Sequence, residues 1–389
     1  MRKETLLATL GCSPEDHEGA VNTPVYRAST IVIPTLDDFE KAMRGEVKSY
    51  GRYGTRTNRE LEESLAKLEG ADRAMVFPSG VSAIWTALGA FANSGDHILM
   101  VDCAYSPSRV ICMNELSRFG IETTFFDPAI GEGISELIRP TTRVLYLESP
   151  GFLTMEVIDI PVLAEVAHRH GLVVVCDNTW ATPLHIKPFE LGIDVSLHSG
   201  TKYICGHSDV LLGVLTFKEQ HRKALERYAH NMGAATSSDV CYLAQRGLRT
   251  MGLRLEQHQK SALKVAEWLV QRPEVEAVLY PALPSDPGHE LWKRYFSGAC
   301  GLFSFVLKQS YSREKLARML DNMQLCSLGF SWGGFETLLI PIDPRPVRAV
   351  SKWPYQGQAF RMHVGLEHVD DIIEDLEKGL ERLRSSPSI

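Results

Sequence analysis

Between residues 74 and 217, short apolar runs of strand length recur with room for a helix between most of them, and this alternation narrows the possible architectures sharply. The runs lie at 74–77, 97–102, 122–126, 144–147, 172–176, 195–198 and 213–217. Helical spacing fills several of the gaps, at 58–69, 81–91 and 162–170; in the first, Leu61, Leu65 and Leu68 give one apolar face with charges opposite. Strands alternating with helices in this way predict an α/β domain on a largely parallel sheet. Such sheets place their ligand sites at the carboxyl ends of their strands.

Outside this region the texture changes. Residues up to about 53 are punctuated by Pro14, Pro24 and Pro34 and carry no long helical period. An arm of that kind cannot bury a core of its own, and it is expected to lie against another domain or subunit. Beyond about residue 249 comes a long helical stretch, 253–271, ended by Pro273. Short strands are predicted at 277–280, 302–307 and 361–364. A last helix carries Val369, Ile372, Ile373, Leu376 and Leu380, with Glu374 four residues before Lys378. A chain of 389 residues exceeds one compact core. The expected division is an N-terminal arm at 1–53, an α/β domain at 54–248 and a smaller α+β domain at 249–389.

Several function classes are excluded early. Lys and Arg number 41 against 48 Asp and Glu, and no basic block occurs, so a nucleic-acid partner is not expected. No apolar stretch reaches the about 18 residues of a membrane span, and the brief run after Met1 is too short for a secretion signal. The eight cysteines form no CxxC pair and no regular framework, which predicts a reduced, cytoplasmic protein without a zinc site or disulfides. No GxGxxG follows a strand, and no GxxxxGK[ST] or HExxH is present.

Three strand ends then hold the chemistry. At Phe77-Pro78-Ser79-Gly80-Val81 a strand turns into a helix whose first amides can hold an anion, although Pro-Ser-Gly also makes an ordinary turn. Asp177 follows a fully apolar run; it is either a helix or turn cap or a buried carboxylate that requires a cationic partner. Lys202 follows Ser199-Gly200-Thr201 after another apolar run, where a solvated surface lysine is the plain alternative. Together the three are what pyridoxal phosphate demands: an anchor for its phosphate, an acid for its ring nitrogen, and a Schiff-base lysine.

The order and wording of these residues resemble the transsulfuration, or Cys/Met metabolism, family of fold-type-I pyridoxal-phosphate enzymes, and within it the bacterial β-lyases. The resemblance spans nearly the whole chain. It is carried by Tyr50-Gly51-Arg52-Tyr53-Gly54-Thr55, Glu148-Ser149-Pro150-Gly151, Thr154-Met155-Glu156-Val157, Asp177-Asn178-Thr179-Trp180, Thr201-Lys202-Tyr203, Ser331-Trp332-Gly333-Gly334 and Arg361-Met362-His363. The resemblance implies an aspartate-aminotransferase-like α/β fold with pyridoxal 5'-phosphate as cofactor. Lys202 would bind the cofactor, Asp177 would face its ring nitrogen, and Tyr105 would stack on its ring beside the reacting substrate; Lys202, or alternatively Tyr105, would take the α-proton. Gly80, Val81, Ser199 and Thr201 would hold the phosphate, joined by Tyr50 and Arg52 from a neighbouring subunit. Arg361 would bind the substrate α-carboxylate, with Ser331 and Trp332 in the same pocket.

Two positions depart from the pattern: Phe330 stands where these β-lyases commonly have tyrosine, and Ser199 where many have alanine. The implied reaction is β-elimination from L-cystathionine in methionine biosynthesis, by a homotetramer built as a dimer of dimers. γ-Cleavage or γ-replacement, cysteine desulfhydration, and a regulatory protein on the same fold are the alternatives.

Overall fold

A computed structural model describes residues 2–47 and 49–384. Among these residues eleven strands form two sheets: β1 Arg73–Phe77, β2 His97–Val101, β3 Glu122–Phe126, β4 Thr142–Glu148, β5 Val173–Asp177, β6 Val195–Ser199, β7 Gly213–Phe217, β8 Val275–Leu279, β9 Leu302–Leu307, β10 Leu338–Ile342 and β11 Ala359–His363. The first seven make one sheet in the order β1-β7-β6-β5-β4-β2-β3. Strand β7 runs antiparallel to both its neighbours, and the other pairs are parallel. Every residue of β2 and β7 is buried, as expected where helices cover both faces of a sheet. Helix Arg56–Glu69 inserts the predicted Leu61, Leu65 and Leu68, all essentially buried, each adding about 1.5–3 kcal/mol of burial.

The remaining strands form an antiparallel sheet in the order β10-β11-β9-β8. Strand β10 escapes the sequence reading because Pro341 interrupts its pattern; a proline that cannot donate to the ladder is tolerated here because β10 is an edge strand. Helix Val369–Arg384 is the predicted last helix, with a Glu374–Lys378 ion pair at 2.6 Å.

The arm departs from expectation, since it contains helices Lys3–Thr9 and Leu36–Met43. Both are short, which is why no sustained period was visible. The first lies on helix Ser238–Val270 of its own chain, where Gln245 Nε2 and Arg249 Nη1 donate to Leu10 O.

That 33-residue helix begins at Ser238, well before the predicted 253, and runs across the expected boundary at 248/249. Cys241, Ala244, Leu248 and Met251 form its buried stripe, but Gly247 and Gly252 mask the helical signal. Gly247 is needed there, because a Cβ would come within 2.4 Å of the carbonyl oxygens of Ile204 and Cys205. The close approach sets the helix directly behind the turn that carries Lys202. Arg254 completes the support by donating from Nη2 to the carbonyls of Gly247 and Tyr203 at 2.7 and 2.9 Å.

Candidate active site

The carboxyl ends of β1, β4, β5 and β6 converge on one cavity of about 310 Å³, as the rule for open α/β sheets requires. Glu148 and Asp177 end β4 and β5 and lie opposite one another in register, so two carboxyls stand side by side at its base. Asp177 accepts hydrogen bonds from Thr179 N at 3.0 Å and from the Thr179 hydroxyl. Burial raises its pKa despite these bonds and the nearby His198 and Lys202. Burial first, and then the Asp177 charge, pushes Glu148 well above the usual carboxylate range; its Oε2 accepts from Tyr105 N at 2.7 Å. No basic side chain forms an ion pair with Asp177 among the described residues. The base of the cavity thus offers Asp177 as a buried acid that has no ion-pair partner among the described residues.

Lys202 enters from the turn after β6. Its Nζ donates to Ser331 Oγ at 2.7 Å and lies 5.4 Å from the centre of the Trp332 ring. Burial, reinforced by Arg361 and opposed by Asp177, lowers its pKa to about 8, so its neutral form is far more populated near neutrality than that of an ordinary lysine. Gly333, at φ 84°, holds the Ser331–Gly334 segment so close that a Cβ would lie 3.0 Å from Lys202 Cα.

The turn after β1 starts helix Gly80–Gly89, whose N-cap Ser79 accepts from Ser82 N at 3.1 Å. Its first amides belong to Gly80 and Val81, both at the cavity. A Cβ on Gly80 would lie 3.0 Å from Ser199 Oγ, which places that hydroxyl against the helix N-terminus. The Thr179 hydroxyl also accepts from Ser199 N at 2.8 Å, linking this corner to Asp177. Thr201 lines the same wall, but its hydroxyl is engaged in both directions with the backbone of Leu212.

Tyr105 stands edge-on to Phe152, ring centres 4.8 Å apart. Arg361 in β11 is buried and lies behind the rim: its Nη2 donates to the carbonyls of Phe330 and Ser331 at 2.8 and 3.1 Å. Burial lowers its pKa to about 10, and no carboxylate of the chain pairs with it among the described residues. Ser331 and Trp332 line the cavity, and Phe330 stands at its mouth, 93% exposed.

The structure thus gathers Gly80, Val81, Tyr105, Asp177, Ser199, Thr201, Lys202, Ser331 and Trp332 around one space, with Arg361 just behind it. Tyr50 and Arg52 are not brought to it. Arg52 Nη1 donates to His230 O at 3.0 Å and its guanidinium covers the Tyr53 ring, while Tyr50 is 43% exposed. Glu148 and Thr179 are site residues that the sequence analysis quoted only inside motifs. The parallel register opposite Asp177 is the signal for Glu148, and it requires knowing the strand order.

Residues 4–381 match the profile of the Cys/Met metabolism PLP-dependent enzyme family. The cystathionine beta-lyase MetC of Escherichia coli (strain K12) is 41% identical over 388 residues, covering 98% of this chain and 98% of that protein. The L-alanine/L-glutamate racemase of Wolbachia pipientis wMel is also 41% identical, over 396 residues and 98% of each chain. Among solved structures, metB from Corynebacterium glutamicum matches with a TM-score of 0.90 at 30% identity, covering 99% of each chain.

Proposed function

The chain belongs to the Cys/Met metabolism PLP-dependent enzyme family, and from that membership we propose that it is a β-lyase cleaving L-cystathionine to homocysteine, pyruvate and ammonia. Its fold is that of the fold-type-I enzymes and its cofactor is pyridoxal 5'-phosphate. The cavity fits that group. It combines a desolvated lysine, a buried carboxylate without an ion-pair partner, and a helix N-terminus with an adjacent serine hydroxyl. The observation that carries the reading is Lys202 Nζ, shifted toward its neutral form by burial, held by Ser331 Oγ and lining the same cavity as Asp177.

When bound, the cofactor supplies an aldehyde for amines and an electron-withdrawing ring whose nitrogen proton Asp177 would stabilise. Gly80 and Val81 amides with the Ser199 hydroxyl would hold the phosphate; Thr201 would join them only by releasing Leu212 O. Arg361 would bind the substrate α-carboxylate. The Phe330 and Ser331 carbonyls steady one edge of its planar fork and leave the remaining donors for a bidentate acceptor.

Lys202 Nζ, released from Ser331, would take the α-proton and return a proton to the departing homocysteine sulfur. Tyr105 would cover the reacting face. Fixing the carboxylate and base in one cavity contributes proximity and preorganised charge, commonly the larger shares of the rate.

Arg361→Lys keeps the charge but loses the fork. KM for cystathionine should then rise about 10- to 100-fold, the worth of one charge-assisted hydrogen bond, with a smaller change in kcat. Saturation kinetics measure this, and an unchanged KM removes Arg361 from the role.

Product analysis tests the reaction itself. Incubation with L-cystathionine should give homocysteine, pyruvate and ammonia in equal amounts. Cysteine with 2-oxobutyrate would mean γ-cleavage, which needs a second proton removed at Cβ. The racemase name of the Wolbachia relative raises racemisation as a second reading, in which Lys202 would exchange the α-proton. Appearance of D-amino acid without keto acid would establish it.

We also propose that the active form is a tetramer of two dimers, with Tyr50 and Arg52 reaching the phosphate of a neighbouring chain. Support comes from their absence from their own cavity and from Leu36, Phe39 and Met43, exposed on one helix of the arm. Eight free cysteines suit a reducing cytoplasm. Among the described residues, no helix is long and apolar enough to cross a membrane.

A further inference from the structure

Behind the Tyr105 side of the cavity lies an ionic cluster that no part of the mechanism uses. Asp102, at the end of β2, has no exposed side-chain surface, and Arg348 is 7% exposed. Arg348 Nη2 pairs with Glu156 Oε1 at 2.7 Å, its Nη1 donates to Thr154 Oγ1 at 3.1 Å, and its Nε faces Asp102 Oδ2 at 3.6 Å. The Thr154 hydroxyl in turn donates to Glu156. Asp102 also accepts from the amides of Ala349, Val350 and Ser351 at 2.8, 3.1 and 2.9 Å, and from Arg109 Nη1 at 3.0 Å. One guanidinium from the segment between β10 and β11 is thus inserted between two acids that belong to the large sheet and its loops.

Each acid is tied to a wall of the site. Gly151 N donates to Glu156 O at 3.0 Å, and a Cβ at Gly151 would lie 3.1 Å from Glu156 Oε2 and 2.6 Å from Cys103 Cβ. Phe152 N donates to Cys103 O at 3.0 Å, and Cys103 directly follows Asp102. Phe152 then lies beside both residues assigned to the substrate: its ring centre is 4.8 Å from that of Tyr105 and 6.0 Å from Arg361 Cζ. The cluster therefore fixes the distance between the Tyr105 wall, built on the first sheet, and the Arg361 wall, built on the second.

We infer that Arg348, clamped between Glu156 and Asp102, is a positioning residue that sets Tyr105, Phe152 and Arg361 in register for an amino-acid carboxylate. The inference rests on the reading of Arg361 as the carboxylate site but not on which bond is cleaved. Glu156, whose side chain is 31% exposed, moves or takes up water once its partner is gone, and a shift of about 1 Å in a substrate wall can cost on the order of a hundredfold.

The test is glycine binding to the cofactor-loaded enzyme, followed by the change in visible absorbance, beside thermal melting. Arg348→Met should weaken glycine binding about 10- to 100-fold with the unliganded spectrum unchanged. Arg348→Lys, which retains a charge for Glu156 but cannot span to Thr154 and Asp102, should weaken it less. The double variant Arg348→Met/Glu156→Gln leaves no unpaired charge at that contact. It should regain melting temperature while glycine binding stays weak, whereas a merely structural role would restore both together.

Glycine affinity within twofold of the parent in Arg348→Met overturns the inference, as does joint recovery in the double variant. If Arg348→Met does not fold, parent-like affinity in Arg348→Lys overturns it equally. Glycine requires no Cβ–S bond, so the clamp can stand where cystathionine cleavage fails. An enzyme that shows no glycine-dependent absorbance even as wild type instead removes the cofactor-site reading.

Discussion

Lys202→Ala should abolish turnover of cystathionine, with a loss of at least about 10⁴-fold in kcat. The basis is that one side chain provides both the covalent hold on the cofactor and the acid–base proton transfers. The structure supports assigning both jobs to one amine. Among the described residues Nζ has one hydrogen-bond partner, Ser331 Oγ, and burial brings its pKa to about 8, so it can accept a proton and give it up near neutrality. The variant should still fold. The Ser331–Gly334 segment rests against the Lys202 backbone through Gly333, and removing the side chain forfeits one side-chain hydrogen bond of about 1 kcal/mol. Circular dichroism should therefore match the parent while pyruvate release falls to background. Borohydride reduction and mass mapping supply the companion measurement: the parent should carry the reduced cofactor on the peptide containing Lys202, and the variant should carry none. A variant that turns over normally would remove Lys202 from the mechanism.

Much of this was legible before any coordinates because buried parallel strands leave continuous apolar runs, and the residues just after them can be read off one by one. Asp177, Ser199 and Lys202 became conspicuous in that way. Glu148 did not, since it ends an apolar run as Asp177 does, and its importance comes only from pairing β4 with β5 in register. Strand β10 was hidden by Pro341, and the first half of the long helix by Gly252 and by Gly247, which a close approach to the Lys202 turn requires. The Arg348 clamp joins residues roughly 250 positions apart across two sheets, and no local pattern encodes such a meeting. The arm marks a different boundary: its prolines announced that no long helix runs through it, while the packing of its first helix on Ser238–Val270 joins residues more than 230 positions apart.

Asp177→Asn separates what the site gives up in stability from what it gains in function, because the two should change in opposite directions. In the cofactor-free protein the Asp177 carboxyl is buried beside Glu148, and its pKa is raised by burial. An acid whose pKa is higher folded than unfolded destabilises the fold once it must ionise. That cost is absent below the unfolded value of about 3.9, grows as pH rises through the folded value, and is then constant. The asparagine variant should accordingly melt higher than the parent at pH 7 and level with it at pH 4. Its Oδ1 can keep both hydrogen bonds from Thr179, so the local geometry has no reason to change. The loaded enzyme should behave in the reverse sense. With the negative charge gone, nothing stabilises a proton on the cofactor's ring nitrogen, and turnover should fall about 10²- to 10³-fold, the usual worth of a preorganised charge at a developing carbanion. Cofactor content should remain full, because Lys202 and the helix N-terminus at Gly80 still hold it. Paired melts at the two pH values, with cofactor content and pyruvate release on the same samples, measure all three quantities. Unchanged turnover at full loading would show that Asp177 does not serve the ring nitrogen, and a lower melting temperature at pH 7 would show that its charge is already compensated in the empty cavity.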